Sequence, residues 1–215
     1  MLTLRNFQKS YGERPILTIP EWQLPPGIHW LKGPNGAGKT TLFRSIAGLL
    51  PHEGTSQLNH LDSRRDAVAY RMRVNYAEAE PTFPPLLTAH EIIRWVADAK
   101  QSPTNQADEL ITAFGICAYM HTPVSTYSSG MLKKTSLIVA FLGKPDLILL
   151  DEPLVTLDVA ATQTVAQLIK STHQQGVSFL LSSHQAMETA QLPIDSVWQV
   201  AGGRLMMSDE RLTRE

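Results

Sequence analysis

The chain has 215 residues, 43% of them hydrophobic, with 19 Lys and Arg against 20 Asp and Glu for a formal net charge of -1. That length and apolar content fill one well-packed domain and argue against two, and the balanced charge offers no basic field for nucleic acid. The single Cys117 excludes an internal disulfide and a cysteine metal cluster, and reads as a small apolar residue in a reducing compartment.

In chain order, apolar runs predict strands at Leu2 to Phe7, Ile16 to Ile19 and Ile28 to Lys32. The third runs through a glycine-rich turn into a helix over Lys39 to Ala47, which Gly48 closes and Pro51 stops. A strand at Val74 to Ala77 precedes three helical stretches, Thr88 to Ala99, Asp108 to Phe114 and Ser129 to Leu142, with breaks at Pro103 and Pro123. Further strands are expected at Leu147 to Leu150, Ser178 to Leu181 and Ser196 to Val200, and Met206 and Met207 read as strand residues. The alternation implies an α/β fold with a largely parallel core sheet. A helical subdomain, roughly 79–142, is expected to one side of it.

Gly33-Pro34-Asn35-Gly36-Ala37-Gly38-Lys39-Thr40 matches the phosphate-loop pattern and lies between a strand and a helix, where that loop works. Gly36 and Gly38 allow backbone N–H groups to wrap phosphates, the helix N-terminus adds its dipole, and Lys39 supplies the charge. The Thr40 hydroxyl can reach Mg2+, and Thr41 completes the cradle. A second site is the apolar strand Leu147-Ile148-Leu149-Leu150 ending in Asp151-Glu152. Asp151 suits the metal shell and Glu152 suits polarisation of an attacking water. A strand ending in solvated acids is the plainer reading of that pair alone; the phosphate loop tips the balance.

The segment Tyr127-Ser128-Ser129-Gly130-Met131 ahead of the acid strand, with Asp158 after Glu152 and His184 after Phe179-Leu180-Leu181-Ser182, resembles the nucleotide-binding subunits of ATP-binding cassette transporters. The resemblance covers nearly the whole chain. It implies a single ABC-type ATPase domain over 1–215: a P-loop NTPase with an N-terminal antiparallel β portion, a mostly parallel core sheet and an inserted helical subdomain. It further implies ATP and Mg2+ as cofactors, a second cassette as partner, and an integral membrane permease that this chain powers.

By the same resemblance, Ser128 and Gly130 cap the nucleotide of the opposite subunit, Asp158 crosses the dimer interface, His184 contacts the γ-phosphate and Tyr11 stacks on adenine. An open helix start at Ser128 is an anion site in its own right, but one that faces nothing within one chain. The other histidines, His29, His52, His60, His90, His121 and His173, read as surface or satisfied core residues.

Two departures stand out. The glutamine expected after the fourth strand falls at Ala79, which cannot ligate a metal; Glu78 or Glu80 is the available replacement. The signature carries Tyr127, Ser129 and Met131 yet keeps Ser128 and Gly130, a form similar to that of export-type subunits. Thr82-Phe83-Pro84-Pro85-Leu86-Leu87 is a permease contact or a cover for the subdomain core, and Lys133 and Lys134 read as a solvated helix face.

No run approaches the roughly 20 apolar residues that span a bilayer, and Met1 to Tyr11 has no secretory apolar stretch. The expected location is cytoplasmic, peripheral at the inner face of the membrane through the permease. The alternatives are a soluble ATP-driven clamp and a nucleotide-binding regulator with weak turnover. A guanine-specific enzyme is disfavoured by the absence of an Asn-Lys-x-Asp motif.

Overall fold

The structure, a computed structural model, describes residues 1–183 and 192–208. Strand β1 (Leu2–Tyr11) pairs antiparallel with β2 (Arg14–Leu24). Both are longer than their apolar runs, because the hairpin ladder carries pairing out to Tyr11 and Arg14. Strand β3 (Ile28–Lys32) then enters a second sheet and feeds helix α1 (Lys39–Ile46). The chain returns to the first sheet as β4 (Glu53–Leu58) and β5 (Leu61–Asp62). That sheet has the order β2-β1-β4-β5.

After α2 (Ala67–Arg73) and β6 (Val74–Ala77), three helices follow: α3 (Ala89–Ala99), α4 (Gln106–Phe114) and α5 (Ser129–Phe141). Thr88 starts α3 with a reciprocal cap: its hydroxyl accepts from the Glu91 N–H, and the Glu91 carboxylate accepts from the Thr88 N–H. The chain ends with β7 (Leu147–Asp151), α6 (Val159–Gln174), β8 (Ser178–Ser182), β9 (Ser196–Ala201) and β10 (Arg204–Met207). The second sheet has the order β10-β9-β3-β8-β7-β6, parallel throughout except for the β10 edge.

Parallel strands covered on both faces bury every residue, and β7 does so completely. Alternation still decides which core each side chain joins. Ile148, Leu150, Phe179 and Leu181 face one cluster with α3, α4, α5 and α6, whereas Leu147, Leu149 and Leu180 face another with α1 and the antiparallel sheet. The two clusters clamp the sheet, so the carboxyl ends of β3, β7 and β8 are held in register where parallel sheets place ligands. Cys117 is free and exposed rather than part of the core.

Candidate active site

The loop between β3 and α1 closes through backbone conformations that only glycine adopts readily. Gly38 has φ 105 and a Cβ there would meet Leu17 Cδ2 at 3.2 Å; Gly33 has φ 155 and a Cβ there would meet the Val200 carbonyl at 2.6 Å. No side chain caps α1 and no acid lies in its first turn, leaving its first N–H groups and positive dipole end for an anion. Lys39 is only 6% exposed, and its Nζ donates to the carbonyls of Gly33 (2.8 Å) and Pro34 (3.2 Å). Burial pushes its pKa down while Glu152 and Asp151 oppose that shift. The lysine is thus drawn back across the mouth of its own loop.

At the end of β7, Asp151 is buried and fully engaged. Its Oδ2 accepts from Thr40 Oγ1 at 2.6 Å, and more weakly from the Tyr76 hydroxyl at 3.4 Å; its Oδ1 accepts from Ser182 Oγ. The next residue, Glu152, has φ 47, and its N–H donates to Ser182 O and Oγ at 3.2 and 3.1 Å. A non-glycine residue in that region is uncommon, and here β8 holds it there. Phosphate loop, metal-type acid and second carboxylate therefore meet at one place.

They line a cleft of about 600 Å3 together with Asn35, Gly36, Gly38, Thr41, Tyr11 and Glu80. Tyr11 is half-exposed at the rim, with Lys9 Nζ 4.9 Å from its ring centroid. Ala37 contributes backbone geometry instead: its N–H donates to the Pro34 carbonyl at 3.2 Å and its side chain packs toward the core. Of the two glutamates beside Ala79, Glu78 is held by Arg44 at 3.1 Å, outside this cleft. Glu80 lies along it.

Ser128 and Gly130 do not join the cleft. Ser128 is the exposed cap of α5, its Oγ accepting from the Met131 N–H at 3.3 Å, and a Cβ on Gly130 would meet the Thr156 carbonyl at 2.8 Å. Asp158 caps α6 by accepting from the Ala161 N–H at 2.7 Å, and ion-pairs with Lys134 at 2.8 Å. Those contacts, the Lys134 bond first, hold its carboxyl below the usual range. His184 lies outside the described residues.

A family model described as ABC transporter matches residues 18–155, which include both the phosphate loop and the acid strand. The chain belongs to this family. The chain is therefore an ATP-binding, ATP-hydrolysing cassette, as its motifs led one to expect. Among its relatives, the cytochrome c biogenesis ATP-binding export protein CcmA of Legionella pneumophila is 33% identical over 189 residues, covering 86% of this chain and 93% of the relative. A solved ATP-binding subunit of an ABC transporter superposes with TM-score 0.87 at 25% identity, covering 97% and 89% of the two chains. A dimeric cassette solved in a post-hydrolysis state with ADP and Pi shares the fold with TM-score 0.83 at 19% identity, covering 98% and 99%.

One residue of the cassette overturns its reading from sequence. Lys133, expected on a solvated face with Lys134, is 1% exposed, and its Nζ donates to the carbonyls of Glu78, Ala79 and Asp151 at 2.8, 2.9 and 3.0 Å. Burial pushes the ammonium down to about 8 against the pull of Asp151, Glu152, Glu78 and Glu80. The helical period carried the signal: Lys133 shares a stripe with the buried Ser136, Leu137 and Ala140. Ser182 and Tyr76, which hold Asp151, had no such local signal.

Proposed function

We propose that the cassette works as one half of a head-to-tail pair that closes on ATP and drives a separate membrane permease. The observation that carries this reading is the separation, within one chain, of the phosphate cleft from the helix start at Ser128, which is exposed, and Gly130. The Ser128 hydroxyl and the first-turn N–H groups of α5 form an anion site outside the cleft, which calls for a nucleotide from a second chain. The exposed Val155 and Val159 flank Asp158 on the described surface and supply an apolar rim that pairing would cover.

In this reading the N–H groups from Asn35 to Thr41 and the Lys39 ammonium bind the phosphates of one ATP, and Tyr11 stacks on its base. Ser128 and Gly130 of the second cassette cap the γ-phosphate, with Asp158 at the shared interface. Thr40 and Asp151 offer neighbouring hard oxygens, which fit Mg2+. Held by Thr40 and Asp151, the metal would supply positive charge that offsets the charge of the phosphates. Glu152 orients the attacking water, and His184 is assigned to the γ-phosphate. Lys39 must leave the Gly33 and Pro34 carbonyls to bind phosphate, so nucleotide replaces an internal contact with a stronger charge pair. ATP shifts the open–closed balance by its differential affinity for the closed pair.

The permease side is supported by an apolar groove of about 510 Å3 between α2, β6 and α3, lined by Leu49, Val68, Met72, Phe83 and Val96. Phe83 packs against the core, while Leu86 beyond it is 85% exposed. Both readings of the 82–87 loop thus have a residue in their favour. Among the described residues no helix is long and apolar enough to cross a membrane, and the proposed location is the inner face of the membrane on that partner. The name of the Legionella relative favours export. Tagged protein purified from gently solubilised membranes should bring down a multi-span protein that raises its ATPase rate. A cassette that stays free in the cytoplasm, unstimulated, would favour the clamp or regulator.

A further inference from the structure

Lys133 joins three parts of the cassette. It lies just beyond the first turn of α5, the helix that Ser128 opens. Its Nζ donates to Glu78 O and Ala79 O in the loop after β6, and to Asp151 O at the end of β7. An ammonium has three N–H donors, and all three are used on backbone carbonyls. An unpaired charge at that burial would be strongly disfavoured, so the three carbonyls are held to the lysine as firmly as it is held to them.

The consequence follows from Ala79. The loop after β6 has no side chain at that position able to reach the metal-holding residues, yet it runs along the cleft through Ala79 and Glu80. We infer that Lys133 is a positioning residue for hydrolysis: it fixes this loop and the Asp151 backbone to α5 through their carbonyls, whatever side chain position 79 carries. The inference rests on the paired-cassette reading above. Capture of a partner's nucleotide at Ser128 bears on the start of α5, and a helix moves as a rigid element. Lys133 passes that displacement to the carbonyls beside Asp151 and Glu152. The Lys134–Asp158 pair on the next residue ties the same helix to the segment after Glu152, but at the surface, where it is weaker.

The test compares wild type, Lys133→Met and Lys133→Gln for steady-state ATP turnover, for binding of a fluorescent ATP analogue, and for thermal unfolding. Methionine keeps the bulk and removes every donor; glutamine keeps two. The expected result for Lys133→Met is a kcat lower by about tenfold or more with KM and analogue affinity within about threefold, and a partial recovery of kcat in Lys133→Gln. A wild-type kcat in Lys133→Met overturns the inference. So does a proportional loss of affinity and turnover, or a glutamine variant no better than methionine, since either marks a merely structural lysine. Should the methionine variant fail to unfold cooperatively, the glutamine variant decides alone: lowered kcat at unchanged KM supports the inference, and wild-type kcat or matched losses overturn it. If Glu152→Gln binds MgATP yet stays monomeric, the paired-cassette reading fails and this inference falls with it. MgATP-driven pairing of Glu152→Gln together with normal turnover in both Lys133 variants leaves that reading standing and removes only the role of Lys133.

Discussion

Thr40 Oγ1 donates to Asp151 Oδ2 at 2.6 Å, a bond between residues 111 positions apart. It fastens the first turn of α1 to the end of β7 and places a hydroxyl and a carboxylate where a hard cation can replace the shared proton bridge. Thr40→Ala should therefore raise the Mg2+ concentration needed for half-maximal turnover by about tenfold or more. A Mg2+ titration of ATPase activity checks this, and an unchanged requirement would detach Thr40 from the metal.

Glu80, rather than Glu78, lies along the cleft, because Arg44 holds Glu78 on the other side of the loop. In a metal titration, Glu80→Ala should raise the Mg2+ concentration for half-maximal turnover by about threefold to tenfold while Glu78→Ala leaves it unchanged. Equal, normal behaviour of both single variants and of the double variant would show that no loop carboxylate serves the metal.

Tyr11 is half-exposed at the cleft rim. Tyr11→Ala should raise the KM for ATP by about fivefold, the equivalent of roughly 1 kcal/mol of stacking, and Tyr11→Trp should restore it. An alanine variant with an unaltered KM would place the base elsewhere.

His29 sets a pH limit on stability. It is fully buried, with Nε2 donating to the Pro25 carbonyl at 2.9 Å and Nδ1 accepting from Ser196 Oγ at 2.7 Å in the neutral tautomer that satisfies both. Burial above all lowers its pKa from the ordinary 6.5, so the folded chain resists a proton that the unfolded chain takes up. Its stabilisation is complete above about pH 6.5 and is lost as pH falls below that value toward the folded pKa, at up to about 1.4 kcal/mol per pH unit. His52 is shifted the same way, burial again first. Melting temperatures measured from pH 7.5 to 5 should fall below pH 6.5, and His29→Gln should flatten part of that slope. A slope unchanged by the substitution would put the acid sensitivity elsewhere.

Much of the site was legible because its strands are uninterrupted apolar runs with chemistry at their ends: Ile28 to Lys32 ahead of a glycine loop, Leu147 to Leu150 ahead of two acids. The stretch Glu53–Leu58 gave no such signal, since EGTSQL has one large apolar side chain and becomes a strand by pairing with β1. The placement of Glu78 depended on Arg44, a partner on another element. The charge of Lys133 points to solvent, whereas its helical stripe is buried. Local pattern gives elements and motifs; which side of a loop a carboxylate takes is decided by contacts distant in sequence.

The central claim, that two cassettes close on ATP, is tested most directly by sedimentation velocity of Glu152→Gln with and without MgATP. Loss of the carboxylate should slow hydrolysis by roughly 10²- to 10⁴-fold and so preserve the nucleotide that bridges the two surfaces. The account predicts a monomer without nucleotide and a dimer with MgATP, abolished by adding Ser128→Arg at the open helix start. A variant that binds MgATP yet sediments as a monomer would contradict it.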